Sequence, residues 1–114
     1  MNIGETLDAR SPEDFFDWLA ANGQSKQEIW VILYKKSSGK QTVTYAQLVE
    51  TALCHGWIDG LMKGMDDQRY AQRFTPRRKK SNWTDANKAL ARRLLAEGRM
   101  TAAGQAALPE DMRP

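Results

Sequence analysis

The chain has 114 residues, 41% of them hydrophobic and 27% charged, which is enough apolar material for one core and too much for wholesale disorder. A single Cys and a single His exclude a disulfide framework and the usual Cys/His zinc sites, and no apolar run approaches the ~20 residues of a membrane span. The formal net charge is +3, but residues 1–67 hold an acidic excess and residues 68–114 a basic one, most of it in Arg69, Arg73, Arg77, Arg78, Lys79, Lys80, Lys88, Arg92, Arg93 and Arg99.

Met1 to Glu5 shows neither a basic n-region nor an apolar h-region, so the expectation is a soluble cytoplasmic domain with no membrane insertion. Near Thr6 to Asp8 a short strand is possible. Ser11-Pro12-Glu13-Asp14 reads as a helix start. Ser11 can cap, Pro12 suits the first helical position, and the two acids favour the positive end of the helix dipole. Phe15, Phe16 and Leu19 make one apolar face with Trp18 beside it, and Gly23 stops a helix predicted over 12–22. Ile29-Trp30-Val31-Ile32-Leu33-Tyr34 is β-branched, aromatic and nearly continuous in apolarity. That fits a central strand covered on both faces. A polar turn follows over 35–40.

Thr44-Tyr45-Ala46-Gln47 fits a capping box. Tyr45, Leu48, Val49, Ala52 and Leu53 recur at helical spacing, so a helix is expected over 45–55, with Gly56 where a left-handed cap belongs. Residues 57–63 read as a strand, and Gly60 within them marks a bulge or a close backbone approach. Asp66-Asp67 is a turn signal. Arg69-Tyr70-Ala71-Gln72-Arg73-Phe74 alternates with period two, so it pairs with the preceding strand as a hairpin that Pro76 ends. Thr84 caps the next helix, with Ala86, Leu90 and Leu94 as its buried stripe and Gly98 closing it. Thr101 caps a short Ala-rich helix over 102–107, and 109–114 is expected to be a frayed tail. The fold class is α+β: one domain over 1–114, with helices packed on a small three- to four-stranded sheet that contains a β-hairpin.

Several blocks together resemble a known family. They are Ala52-Leu53-Cys54-His55-Gly56-Trp57-Ile58-Asp59-Gly60, Asp66-Asp67 with Tyr70, Arg73-Phe74-Thr75-Pro76-Arg77-Arg78, then Ser81, Trp83 and Asn87, and Gly98-Arg99-Met100-Thr101 with Gly104. Over nearly the whole chain the sequence resembles the YdeI/OmpD-associated family, also called the bacteriocin-protection family. The resemblance implies a bacterial domain linked to protection against bacteriocins or cationic antimicrobial peptides and to association with an outer-membrane porin. It brings no catalytic residues with it. His55 stands where the family has an aromatic residue, and Thr84 where it has Ser.

The candidate site is the surface formed by Trp57, Asp59, Arg73, Arg77 and Trp83. Trp57 and Asp59 flank Ile58 on a strand and share one face. If Ile58 is core, they look onto a second surface, where Asp59 can hold a ligand's amine or pair with Arg73 or Arg77. Pro76 stiffens the approach to Arg77, whose fork suits bidentate binding of a carboxylate or phosphate or the pinning of a loop. The partner is then an unidentified protein or small molecule, bound without catalysis and without a cofactor or metal. The alternative is a nucleic-acid or polyanion binder using Arg77, Arg78, Lys79, Lys80, Arg92 and Arg93. A third reading is an enzyme with Asp59 as acid/base. Cys54 and His55 are adjacent on a helix, where neighbours point about 100° apart. That is poor geometry for a nucleophile pair, so Cys54 reads as a buried thiol and His55 as a packed ring or a helix-end cation. Gly56, Gly60 and Gly64, four apart, read as backbone fit.

Overall fold

The computed structural model describes residues 2–40, 43–78 and 82–113. Its centre is β2 (Ile29–Tyr34), whose first five residues are buried. A strand that is apolar on both faces must have neighbours on both edges and cover above and below. On one edge lies the two-residue β1 (Thr6–Leu7), parallel to it. On the other lies β4 (Arg69–Pro76), antiparallel, which pairs in turn with the edge strand β3 (Trp57–Gly64). The sheet order is β1-β2-β4-β3, so the expected hairpin and the short N-terminal strand are both present.

The helix starts follow their caps. In α1 (Pro12–Asn22) the Ser11 hydroxyl accepts from the Asp14 amide. In α2 (Tyr45–Cys54) Thr44 and Gln47 close a complete capping box. Thr84 caps α3 (Asp85–Ala96), and Thr101 caps α4 (Ala102–Ala106). The α3 stripe departs from the expectation in one place. Ala86 is exposed, and Ala91 and Leu94 are the buried residues, with Leu90 and Leu95 partly covered.

Two buried clusters share α2. Leu48 and Ala52 pack with Phe15, Leu19, Val31, Trp57 and Phe74 between helices and sheet. Phe15 and Phe74 meet at 5.0 Å, and Trp18 stands edge-on to Trp57 at 5.7 Å. On the far side of α2, Leu53 and Cys54 join Ala91, Leu94, Met100 and Leu108. The 109–114 segment is not a frayed tail over its described part. Glu110–Met112 forms a 3-10 turn, and Arg113 donates to the carbonyls of Leu108 and Ala106. Those two carbonyls lie at and just past the end of α4, where helical partners are lacking and a guanidinium supplies the donors.

The bulge expected at Gly60 is present. Asp59 pairs with Phe74 and Met62 with Gln72, so Gly60 and Leu61 oppose Arg73 alone. Gln72 is 1% exposed, and its amide nitrogen donates to the carbonyls of Gly60 (2.8 Å) and Leu61 (3.2 Å). A buried polar side chain on the core face is here the fastener of the bulge. Replacing it by an apolar isostere leaves those carbonyls without their donor. Gln72→Leu should lower the unfolding free energy by about 1–3 kcal/mol in urea denaturation; an unchanged midpoint would show that the bulge stands without it.

Candidate functional site

The register decides which predicted residues meet. Because Asp59 pairs with Phe74, it lies on the face of Phe74 and Gln72, the face that α1 and α2 cover. Trp57 lies on that face too and is 2% exposed, its indole N–H donating to the Gly23 carbonyl at 3.3 Å. The expectation of Ile58 in the core is therefore inverted. Ile58 is the half-exposed residue, and Trp57 is a core side chain whose edge lines a cleft. Arg73 does not join the site. It belongs to the opposite face of the sheet, where its Nε donates to Glu28 at 2.6 Å. Period two separates it from Phe74, and no side chain of its length returns through a sheet.

Arg77, Asp59 and Trp83 do come together. The Arg77 amide donates to the Gly56 carbonyl at 2.9 Å, extending the hairpin ladder by one step. Its guanidinium lies 3.9 Å from the centre of the Trp83 ring, a stacking distance at which a cation is attracted to the ring face. Asp59 and Arg77 line one crevice together with Asn87. Burial works against the Arg77 charge, and the Asp59 carboxylate offsets part of that cost. Asp59 also accepts a short hydrogen bond from the Tyr45 hydroxyl. That bond, with burial and the carboxylate's charge, pushes the Tyr45 phenol up to about 12. The guanidinium is thus stacked on an aromatic face and lies in the field of a carboxylate that is itself bonded to α2.

The cleft beyond Arg77 has a volume of about 750 Å³, within the range of small-ligand sites. Its floor is Gly23, His55, Gly56 and Trp57; one wall carries Arg77, Arg78 and Trp83, and the other Ala103, Ala106, Ala107 and Arg113. That second wall was not visible as a site in the sequence. The signal for it is the glycine at 104. A Cβ there would lie 2.1 Å from the Cys54 carbonyl oxygen, so α4 sits directly on the end of α2. Thr101 fastens it there through both its amide (3.0 Å) and its hydroxyl (2.8 Å) to the same oxygen.

The charge around the cleft is positive among the described residues. Three guanidiniums, Arg77, Arg78 and Arg113, face one carboxylate, Glu110. His55 adds no charge. It is 8% exposed, its ring meets Phe16 edge-on at 4.4 Å, and burial pulls its pKa below the ordinary value. It is the packed ring of the two options, not a helix-end cation. Cys54 is a buried free thiol, pushed up first by burial, which favours the thiol over the thiolate.

Among the described residues, the members of the polyanion surface stand in different settings. Arg93 is engaged by Glu50 and Glu97, and Arg99 by Glu97 (3.2 Å) and Glu50 (3.6 Å). Arg78 belongs to the cleft, and Arg92 is exposed on α3. Lys79 and Lys80 lie outside the described residues. Among the described residues no group of His, Cys, Asp and Glu side chains could hold a metal ion, and no helix is long and apolar enough to cross a membrane.

A family model described as "Domain of unknown function (DUF8412)" matches residues 7–107. No curated protein and no solved structure matches the chain.

The His55 environment has a pH consequence. Its pKa is lower folded than unfolded, so the unfolded chain takes up the proton first. Stability contributed by the neutral ring is complete above about pH 6.5 and is lost as pH falls through the folded value. The difference in unfolding free energy between the wild type and His55→Gln should therefore shrink from about pH 7 to about pH 5. A difference that stays flat with pH would contradict the buried neutral ring.

Proposed function

The chain belongs to the family described as "Domain of unknown function (DUF8412)", and from that premise we propose that it is a non-catalytic binding domain which takes an anionic ligand into the cleft beside Arg77. The observation that carries this reading is the setting of the Arg77 guanidinium. It is stacked on Trp83, steadied by the Asp59 charge and placed where two further guanidiniums face one carboxylate. A planar cation fixed in advance loses little freedom on binding, and its fork matches a carboxylate or phosphate edge. Asp59 serves here as a positioning residue for Arg77, not as an acid or base.

The resemblance to the YdeI/OmpD-associated family adds a biological role, protection against bacteriocins or cationic antimicrobial peptides. A positive cleft repels a cationic peptide, so in this proposal protection proceeds through an anionic ligand. The proposed residence is cytoplasmic, in keeping with a single, buried free cysteine.

Amide-resolved NMR titration with inorganic phosphate tests the site. Shifts should concentrate at Gly23, Gly56 and the Trp83 indole. Arg77→Lys keeps the charge but loses the fork and the stack, and should weaken binding about tenfold with the spectrum otherwise intact. Unchanged affinity in Arg77→Lys would remove Arg77 from the site, and shifts gathered around Arg92 instead would favour the polyanion surface. In cells, Arg77→Lys should lower survival under bacteriocin challenge to the level of a deletion; full survival would separate the cleft from protection.

A further inference from the structure

His55 brings to the cleft floor a polar atom that the fold leaves unbonded. The residue is 8% exposed, it lines the cleft, and among the described residues no group bonds its Nε2. The backbone that carries it is fixed. The His55 amide donates to the Ala52 carbonyl at 3.0 Å, and the Gly56 amide to Leu53 at 3.1 Å. A neutral imidazole has one donor and one acceptor, whereas a protonated one has two donors, each in need of an acceptor. The protein offers Nε2 no acceptor, and burial disfavours the charged ring. An anion in the cleft supplies what is missing, a negative charge and oxygen lone pairs.

The groups around the ring are few. From α1 comes Phe16, itself on the surface, with Glu13 one turn before it. On α2 the neighbour is Cys54, kept as a thiol by burial. The α4 residues Ala103 and Ala107 carry no charge, and the rest of the cleft adds Arg77, Arg78, Arg113 and Glu110. Asp59 stands with Arg77 in the neighbouring crevice, bonded by the Tyr45 hydroxyl. Guanidiniums and ordinary carboxylates hold their charge between about pH 8 and about pH 5.5, and imidazole is the side chain that titrates inside that range. His55 is the single histidine of the chain.

We infer that His55 is a further binding residue of the cleft, and that an anion enters together with a proton that settles on the His55 ring. This rests on the anion-site reading above and adds that the site is linked to pH. The free cleft has a neutral floor and the occupied cleft a cationic one, with up to one proton drawn from solution per anion bound. Linkage is reciprocal: the anion makes the ring a stronger base by the same factor by which the proton tightens the anion. Cleft occupancy thus rises as the surroundings turn mildly acid.

The test uses inorganic sulfate and the intact chain at fixed ionic strength, with chloride as the reference salt. Sulfate keeps both of its charges over this range, so a pH dependence belongs to the protein. In NMR the His55 ring signal is unambiguous, and its titration midpoint should move up by about one pH unit when sulfate replaces chloride. Sulfate should bind about threefold more tightly at about pH 5.5 than at about pH 8. Calorimetry at about pH 6, in two buffers of different ionisation heat, should show proton uptake. His55→Gln should bind sulfate with one affinity at both pH values. If that variant does not fold, the wild-type ring titration decides alone. A midpoint that stays in place, or a pH dependence that survives in His55→Gln, would overturn the role of His55 while the anion site stands. No sulfate binding at either pH would overturn both.

Discussion

The turn at His55-Gly56 is the constraint on which the site depends. Two residues carry the chain from the end of α2 at Cys54 to the start of β3 at Trp57. Gly56 has φ +78°, and a Cβ there would lie 2.9 Å from the Ala107 Cβ and 3.0 Å from the Ala103 carbonyl oxygen. Glycine is therefore required both for the left-handed backbone and for the approach of α4. With the turn this tight, Trp57 enters the core directly, Asp59 falls beneath Tyr45, and Arg77 is drawn to the Gly56 carbonyl. One turn thus places the cleft floor, the anchoring guanidinium and the seat of the opposite wall.

The charge layout is resolved by the same packing. The acidic excess of residues 1–67 and the basic excess of 68–114 become partners once folded. Glu28 takes Arg73, Glu50 takes Arg93 and Arg99, and Asp66 takes Arg69 at 2.9 Å. Exposed pairs of this kind add little stability. They do remove cations from the field that a passing polyanion would meet, so the positive charge facing the cleft is the part that stands out. Among the described residues, the basic excess of 68–114 is therefore divided between ion pairs and the cleft.

The strands, the caps and the bulge were legible because each rests on local chemistry. Thr44 with Gln47, Thr84, Thr101 and Ser11 cap through bonds that span three residues. The unbroken apolarity of 29–34 requires cover on both faces, and Gly60 marks the one place where β3 departs from its partner's spacing. The grouping of Asp59, Arg77 and Trp83 was legible in part, from their density in a short segment. The membership of Arg73 was not, because alternation gives two faces without saying which one the helices cover. The same ambiguity reversed the roles of Trp57 and Ile58.

The sequence by itself determined the element order, the hairpin, the helix starts and the need for glycine after α2, since all of these are set by the dihedral preferences and hydrogen bonds of near neighbours. Only the tertiary structure decided that Arg113 and the alanines of α4 wall the cleft, that His55 is buried and uncharged, and that Arg93 and Arg99 are neutralised by α2 and by Glu97. Each of those facts depends on contacts between segments far apart in the chain or on which face of an element is covered, and neither is encoded in local spacing.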